Sequence, residues 1–321
     1  MSTPALIACI VLAFMAGVVY GRSRERLERL RRGVHKAAKA YGLMVRRRRR
    51  RPWDMALSGR VDAFTVHWTL NSRRNWASTL TVEGLPAGFG VEAKTGPLAL
   101  GSPMVHTRHH DTGDPVFDAM RLPLRGTPAR LSAFLDAPVR KALLSLGSRA
   151  AVRDGTLIIL GTRPAKVEIG EALHLARHIR GGSEEDAHRL LHNFRADPIP
   201  AVRARCLELL LSHQPGLLAD AAAAEAMVAR EADLRLLGAA HLRNLDVLLD
   251  LAEDGDVDGR TRVAALDALE RVGTPYEARM LAQWTHADAP AFAVERAHQV
   301  AATILDRADA TTIIQFAGSG R

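Results

Sequence analysis

The sequence predicts a multidomain chain: an N-terminal transmembrane helix, a small α+β domain and a C-terminal all-α helical-repeat solenoid. Three observations predict it. The first 21 of 321 residues carry no charge and run directly into arginines. Apolar residues change from a helical to a two-residue period after Pro52, and an arginine-centred pattern recurs at about 30 residues after Lys166. A 47% hydrophobic fraction with 25% charged residues excludes wholesale disorder and a fibrous chain. The expected boundaries are 1–21 for the anchor, 22–52 for a basic amphipathic helix and Arg-rich linker, 53–165 for the α+β domain, 166–307 for the repeats and 308–321 for a C-terminal tail.

The apolar run from Ala5 to Tyr20 lies in an uncharged window that would extend about 31 Å as a helix, close to the thickness of a bilayer core. No basic residue precedes it and no Ala-x-Ala follows it, which argues against a cleaved signal peptide. Leu6-Ile7-Ala8-Cys9 has the lipobox pattern but lacks the apolar stretch such a site needs upstream. Between Arg22 and Arg51, 14 lysines and arginines stand against Glu25 and Glu28, a net +12 in a chain of +9, so the remainder is mildly acidic. Basic residues beside a span stay cytoplasmic. The expected location is therefore the bacterial inner membrane, single-pass, with the bulk of the chain in the cytoplasm. Cys9 and Cys206 have no framework spacing, so no disulfide is expected.

Leu27, Leu30, Val34, Ala37, Ala38, Tyr41 and Met44 recur at helical spacing among arginines, the pattern of a helix able to lie along an anionic leaflet. Arg46, Arg47, Arg48, Arg49, Arg50 and Arg51 then form an anion-binding hinge ending at Pro52, with anionic lipids as the expected partner. Nucleic acid is the rival partner for these charges, but no recognition motif or interleaved aromatic residue accompanies them.

Beyond Pro52, Phe64, Val66, Trp68 and Leu70 alternate with polar residues, and Trp76, Ser78, Leu80 and Val82 repeat the pattern, giving two antiparallel strands. Phe89 with Val91 suggests a third. Thr127-Pro128 starts a helix that Pro138 divides. Asp154-Gly155, between Ala151-Val152-Arg153 and Thr156 to Leu160, is a type I′ hairpin pair. Gly113-Asp114-Pro115-Val116-Phe117-Asp118, the leucine-rich helix and the Asp154-Gly155 hairpin are together similar to a module of uncharacterised membrane-anchored bacterial proteins, a resemblance that implies a location and no reaction. His106, His109, His110, Asp111 and Asp114 are types that ligate zinc or iron, but they fall in a turn-rich loop that fixes no direction for them, so an exposed polar loop is expected.

After Lys166, breaks at Gly181-Gly182, Asp197-Pro198, Gln214-Pro215, Arg243-Asn244, Gly255, Gly273-Thr274-Pro275 and Asp288-Ala289-Pro290 divide the chain into about eight helices in pairs. Arg203, Arg235 and Arg262 are each followed by a small residue three later (Cys206, Gly238, Ala265) and a leucine seven later (Leu210, Leu242, Leu269). These small residues let helices approach closely. Asp197-x4-Val202-Arg203 and Asp258-x3-Arg262-Val263, each before an Ala- and Leu-rich helix, resemble the turn and second helix of HEAT repeats. The resemblance implies that Arg203, Arg235 and Arg262 stabilise equivalent inter-helix turns, and that the array binds another protein. His174/His178 and His188/His192 stand one turn apart, the spacing of metal ligands, but no supporting carboxylate follows them, and surface histidines are expected. No catalytic residue, metal or cofactor is expected. The function these readings imply is a non-enzymatic, membrane-anchored scaffold or adaptor with an unidentified protein partner. The alternatives are a metal-dependent hydroxylase or lyase on a HEAT-like scaffold and a nucleic-acid-to-membrane tether.

Overall fold

A computed structural model describes residues 25, 28–47, 55–71, 77–92, 110–161, 165–181, 185–213, 216–285 and 289–318, with backbone only at 47, 71, 77 and 311–318. The chain forms two compact units, 1–110 with 116–184, and 111–115 with 185–321.

The first unit is built on a sheet. A helix over 28–41 (α1) is followed by β1 (Met44–Arg47), β2 (Met55–Val61), β3 (Phe64–Asn71), β4 (Ala77–Glu83), β5 (Phe89–Val91), α2 (Pro115–Ala119), β6 (Leu124–Gly126), α3 (Pro128–Phe134), α4 (Ala137–Leu146), β7 (Ala150–Arg153), β8 (Thr156–Gly161) and α5 (Ala165–Arg180). The eight strands run in the order β1-β2-β3-β4-β8-β7-β5-β6, every neighbouring pair antiparallel. Phe64, Val66, Trp68 and Leu70 are all buried, as their two-residue period requires, and across β4 they face the equally buried Leu80 and Val82. Asp154 and Gly155 both take positive φ, 45° and 74°, as the tight turn between β7 and β8 demands. Thr127 and Asp136 cap α3 and α4 by accepting from the N–H groups of Arg130 and Val139.

The second unit holds α6 (Asp186–Ala196), α7 (Pro200–His213), α8 (Leu217–Met227), α9 (Ala232–Leu242), α10 (Leu245–Glu253), α11 (Gly259–Val272), α12 (Pro275–Leu281) and α13 (Ala291–Gly318). α6 packs on α7, α8 on α9, α10 on α11 and α12 on α13, while α7, α9, α11 and α13 meet one another in succession.

This architecture overturns the expected fold class. Where a small α+β domain was expected, an eight-stranded antiparallel sheet stands, because Met44–Arg47 and Met55–Val61 add two strands ahead of Phe64 and Leu124–Gly126 adds a third beyond Val91. The expected all-α solenoid does not begin at 166, since α5 packs on β4, β8 and α4 and belongs to the sheet unit. The apolar face of α5, with Ile169, Ala172, Leu173, Ala176 and Ile179, is buried there, and a carboxylate is buried with it. Glu168 of α5, 3% exposed, accepts the Trp68 indole N–H at 2.9 Å and the Ser78 hydroxyl at 2.6 Å. No described helix is long and apolar enough to cross a membrane, and residues 1–21, on which the transmembrane helix was placed, lie outside the described residues.

The stripe of the basic helix is also spoken for. Val34, Ala37 and Ala38 are buried within the sheet unit, and the Tyr41 hydroxyl donates to the Lys166 carbonyl at 3.2 Å. That face is turned to protein, leaving Arg32, His35, Lys36 and Lys39 exposed on the other.

Candidate protein-binding groove

The three repeated arginines each occupy the fourth position of a helix, Arg203 in α7, Arg235 in α9 and Arg262 in α11. Arg203 donates through Nε to the Phe194 carbonyl at 2.9 Å and pairs with Glu231 at 2.7 Å. Arg262, almost fully buried, donates through Nη2 to the Asp254 carbonyl at 2.6 Å, and the Arg235 guanidinium lies 3.8 Å from the Asp254 carboxylate. Arg203 and Arg262 thus satisfy carbonyls at the C-terminal ends of α6 and α10, where a cation also meets the negative end of the helix dipole. Of the leucines seven residues on, Leu210 and Leu269 are fully buried and Leu242 is half-buried.

Successive helical residues point about 100° apart, so neighbours of these arginines open on a different side. There Ala204 of α7, Leu236 and Leu237 of α9 and Ala264 of α11 floor a groove of about 380 Å³, and Asp233, Asp258, Arg260 and Thr261 complete its lining. All four floor residues are half-buried. Asp258 is the N-cap of α11, accepting from the N–H groups of Arg260 at 3.0 Å and Thr261 at 3.1 Å. Its carboxyl is held below the ordinary carboxylate range, chiefly by the Thr261 hydroxyl and then by the Thr261 N–H, against some desolvation. Asp233 stands in the first turn of α9, where the dipole favours a negative charge.

Among the described residues, no other residue singled out by sequence as a candidate ligand lines this groove. Arg46 and Arg47 close β1, Arg46 with its side chain exposed, and Arg48 to Arg51 lie outside the described residues. His110 is buried and shares a hydrogen bond with the Ser132 hydroxyl at 3.1 Å, while His106 and His109 lie outside the described residues. Asp111 and Thr112 accept from the N–H groups of Gly113 and Asp114, closing a local turn. His174 and His178 meet edge to face with 4.6 Å between ring centroids, and exposed His188 pairs with Glu185 at 2.8 Å. Among the described residues no three His, Cys, Asp or Glu side chains are grouped to hold a metal ion.

Sequence reasoning missed Asp233, Leu236, Leu237 and Thr261 as members of one site. Their one visible signal is their offset from the repeated arginines, which marks helix and turn but not which side opens. Comparisons with protein-family models, with curated proteins and with solved structures return no match for this chain.

Proposed function

We propose that the protein is a membrane-tethered, non-enzymatic interaction scaffold on the cytoplasmic face of the bacterial inner membrane, and that the groove of α7, α9 and α11 receives a segment of another protein. The observation that carries this reading is the groove itself. Three helices leave four apolar residues half-buried along one opening and ring it with charged groups, the core-and-rim composition of protein interfaces. The uncharged first 21 residues and the +12 segment behind them support the tether.

A selection of phage-displayed dodecapeptides on the full chain in detergent tests the groove. Peptides retained by the native chain are expected to be lost on Leu237→Glu, a variant whose circular dichroism should match the native spectrum because Leu237 is only half-buried. A selection in which no peptide responds to that substitution would sink the groove as a binding surface.

A further inference from the structure

The fold sorts the basic residues of α1. Arg32, Lys36 and Lys39 follow one another at i, i+4 and i+7, so they fall within about 60° of the helix circumference, with His35 beside them. All four side chains are exposed. The opposite side holds Val34, Ala37 and Ala38, buried in the sheet unit, and Tyr41, fastened to the Lys166 carbonyl of α5. The cations therefore stand on a helix fixed to a folded body, at spacings the backbone sets. Nearer the start of α1 the charges cancel, since Arg29 pairs with Glu25 at 3.1 Å and Arg31 with Glu28 at 2.8 Å. Arg32 reaches the Glu28 carbonyl at 3.4 Å, and among the described residues Arg32, Lys36 and Lys39 form no ion pair. The sequence holds no carboxylate side chain from Arg29 to Trp53.

We infer that this row is a second, electrostatic membrane contact, in which Arg32, Lys36 and Lys39 lie on the headgroups of anionic phospholipids while no part of α1 enters the bilayer. This rests on the reading of the chain as membrane-tethered and names the lipid chemistry that α1 meets.

An amphipathic helix enters a leaflet by its apolar face, and here protein occupies that face, which leaves attraction between charges. The uncharged stretch ends at Gly21, shortly before α1 begins, so a tethered chain holds the row within reach of headgroups. At that closeness a few weak contacts suffice. Each cation near an anionic leaflet strengthens attachment on the order of fivefold, and a tether turns the encounter into an intramolecular one. Nucleic acid is the other polyanion such a row could meet, but stacking side chains that would hold its bases are missing from the row, Tyr41 being turned to α5. A leaflet presents its phosphates wherever the row lands and needs no such reading group.

Amine footprinting of the full chain in lipid nanodiscs tests the row, with Lys36 and Lys39 as reporters and Lys141, exposed on α4, as the reference. Discs of phosphatidylcholine alone are compared with discs of phosphatidylcholine and phosphatidylglycerol in equal parts, and acetylation by a neutral N-hydroxysuccinimide ester is read by mass spectrometry. With phosphatidylglycerol present, both lysines are expected to react on the order of tenfold more slowly, relative to Lys141, and to recover as sodium chloride is raised. Arg32→Gln with Lys39→Gln keeps Lys36 as a reporter, changes only exposed side chains and should remove most of that protection. Equal reaction in the two kinds of disc overturns the inference. So does protection of Lys36 that survives in the double variant, since the charge responsible then lies off this row. Protection by duplex DNA added to the chain in detergent, without protection in the anionic discs, overturns it in favour of nucleic acid. The tether is read separately, from co-elution of the chain with phosphatidylcholine discs. A chain that enters those discs but shows no lipid-dependent protection keeps the tether and loses the row. One that binds only the phosphatidylglycerol discs, and leaves them at high salt, keeps the row and loses the tether.

Discussion

At Glu168 a buried carboxylate ties α5 to two strands of the sheet. Its two donors come from strands 100 and 90 residues earlier, and Gly161 leaves the room it occupies, since a Cβ there would lie 1.7 Å from Oε1. Glu168→Ala strands a buried indole N–H and a buried hydroxyl, and should cost about 3 kcal/mol in urea unfolding. Gly161→Ala should cost about 1–3 kcal/mol alone. It should cost less when Glu168 is already alanine, and a double-mutant cycle with no coupling would show that the two do not share one space. None of this could be read from the chain, because a glutamate on a helix looks solvated until its partners on another element are known. Trp68, by contrast, was legible as a sheet-face residue from its alternating neighbours. Two capping carboxyls set an acid limit. Asp258 is lowered by the Thr261 hydrogen bonds. Glu277 is lowered because bonds from the Thr274 hydroxyl and N–H outweigh a desolvation that raises it. A carboxyl depressed on folding contributes stability above its unfolded pKa and loses it as pH falls through the folded value. Unfolding followed by circular dichroism should therefore show stability constant through neutrality and falling below about pH 4, less steeply in the Asp258→Asn, Glu277→Gln pair.

Among the elements, helix pairing depends on how closely axes approach. Gly238 of α9 faces α8 so tightly that a Cβ would meet the Ala223 carbonyl at 2.4 Å. Gly238→Ala must push the pair apart and should cost about 1–3 kcal/mol in urea unfolding, although alanine is the better helix former. Leu210→Ala, at a fully buried site, should cost about 2–5 kcal/mol, and Leu242→Ala clearly less because Leu242 is half-buried. Equal losses at the two leucines would contradict this difference in burial. Gly238 as a close-approach residue was readable from its place in the arginine pattern. The turn between α8 and α9 carries no break signal of its own, since Val228, Ala229, Arg230 and Glu231 contain neither glycine nor proline, and only the repeated arginine at Arg235 pointed to it. β1 escaped for a related reason. Four residues, two of them arginine, carry no period, and only pairing with Met55–Ser58 makes them a strand.

For the whole molecule, the expected border between the α+β domain and the repeats was 165/166, whereas the boundary between compact units falls after Glu184. α5 shares its helical spacing with the repeat helices and its buried contacts with the sheet, and spacing alone sees the first. If the tether reading holds, full-length protein should sediment with membranes, and a chain lacking residues 1–21 should be largely released, the more so at high salt. Retention of that shortened chain at every salt concentration would count against it. The strand order carries one last consequence. β1 and β6 end the sheet among the described residues, and an end strand is a template on which another copy can crystallise its own strand, the seed of aggregation. Met44 is exposed on β1 and would favour such stacking, but Arg46 stands exposed two residues away, and identical cations repel when two such edges approach. Arg46 at this edge thus opposes the pairing of one copy with the next. Arg46→Ser should therefore leave a chain that clouds more readily on concentration, which light scattering would register; equal scattering from both chains would count against that role.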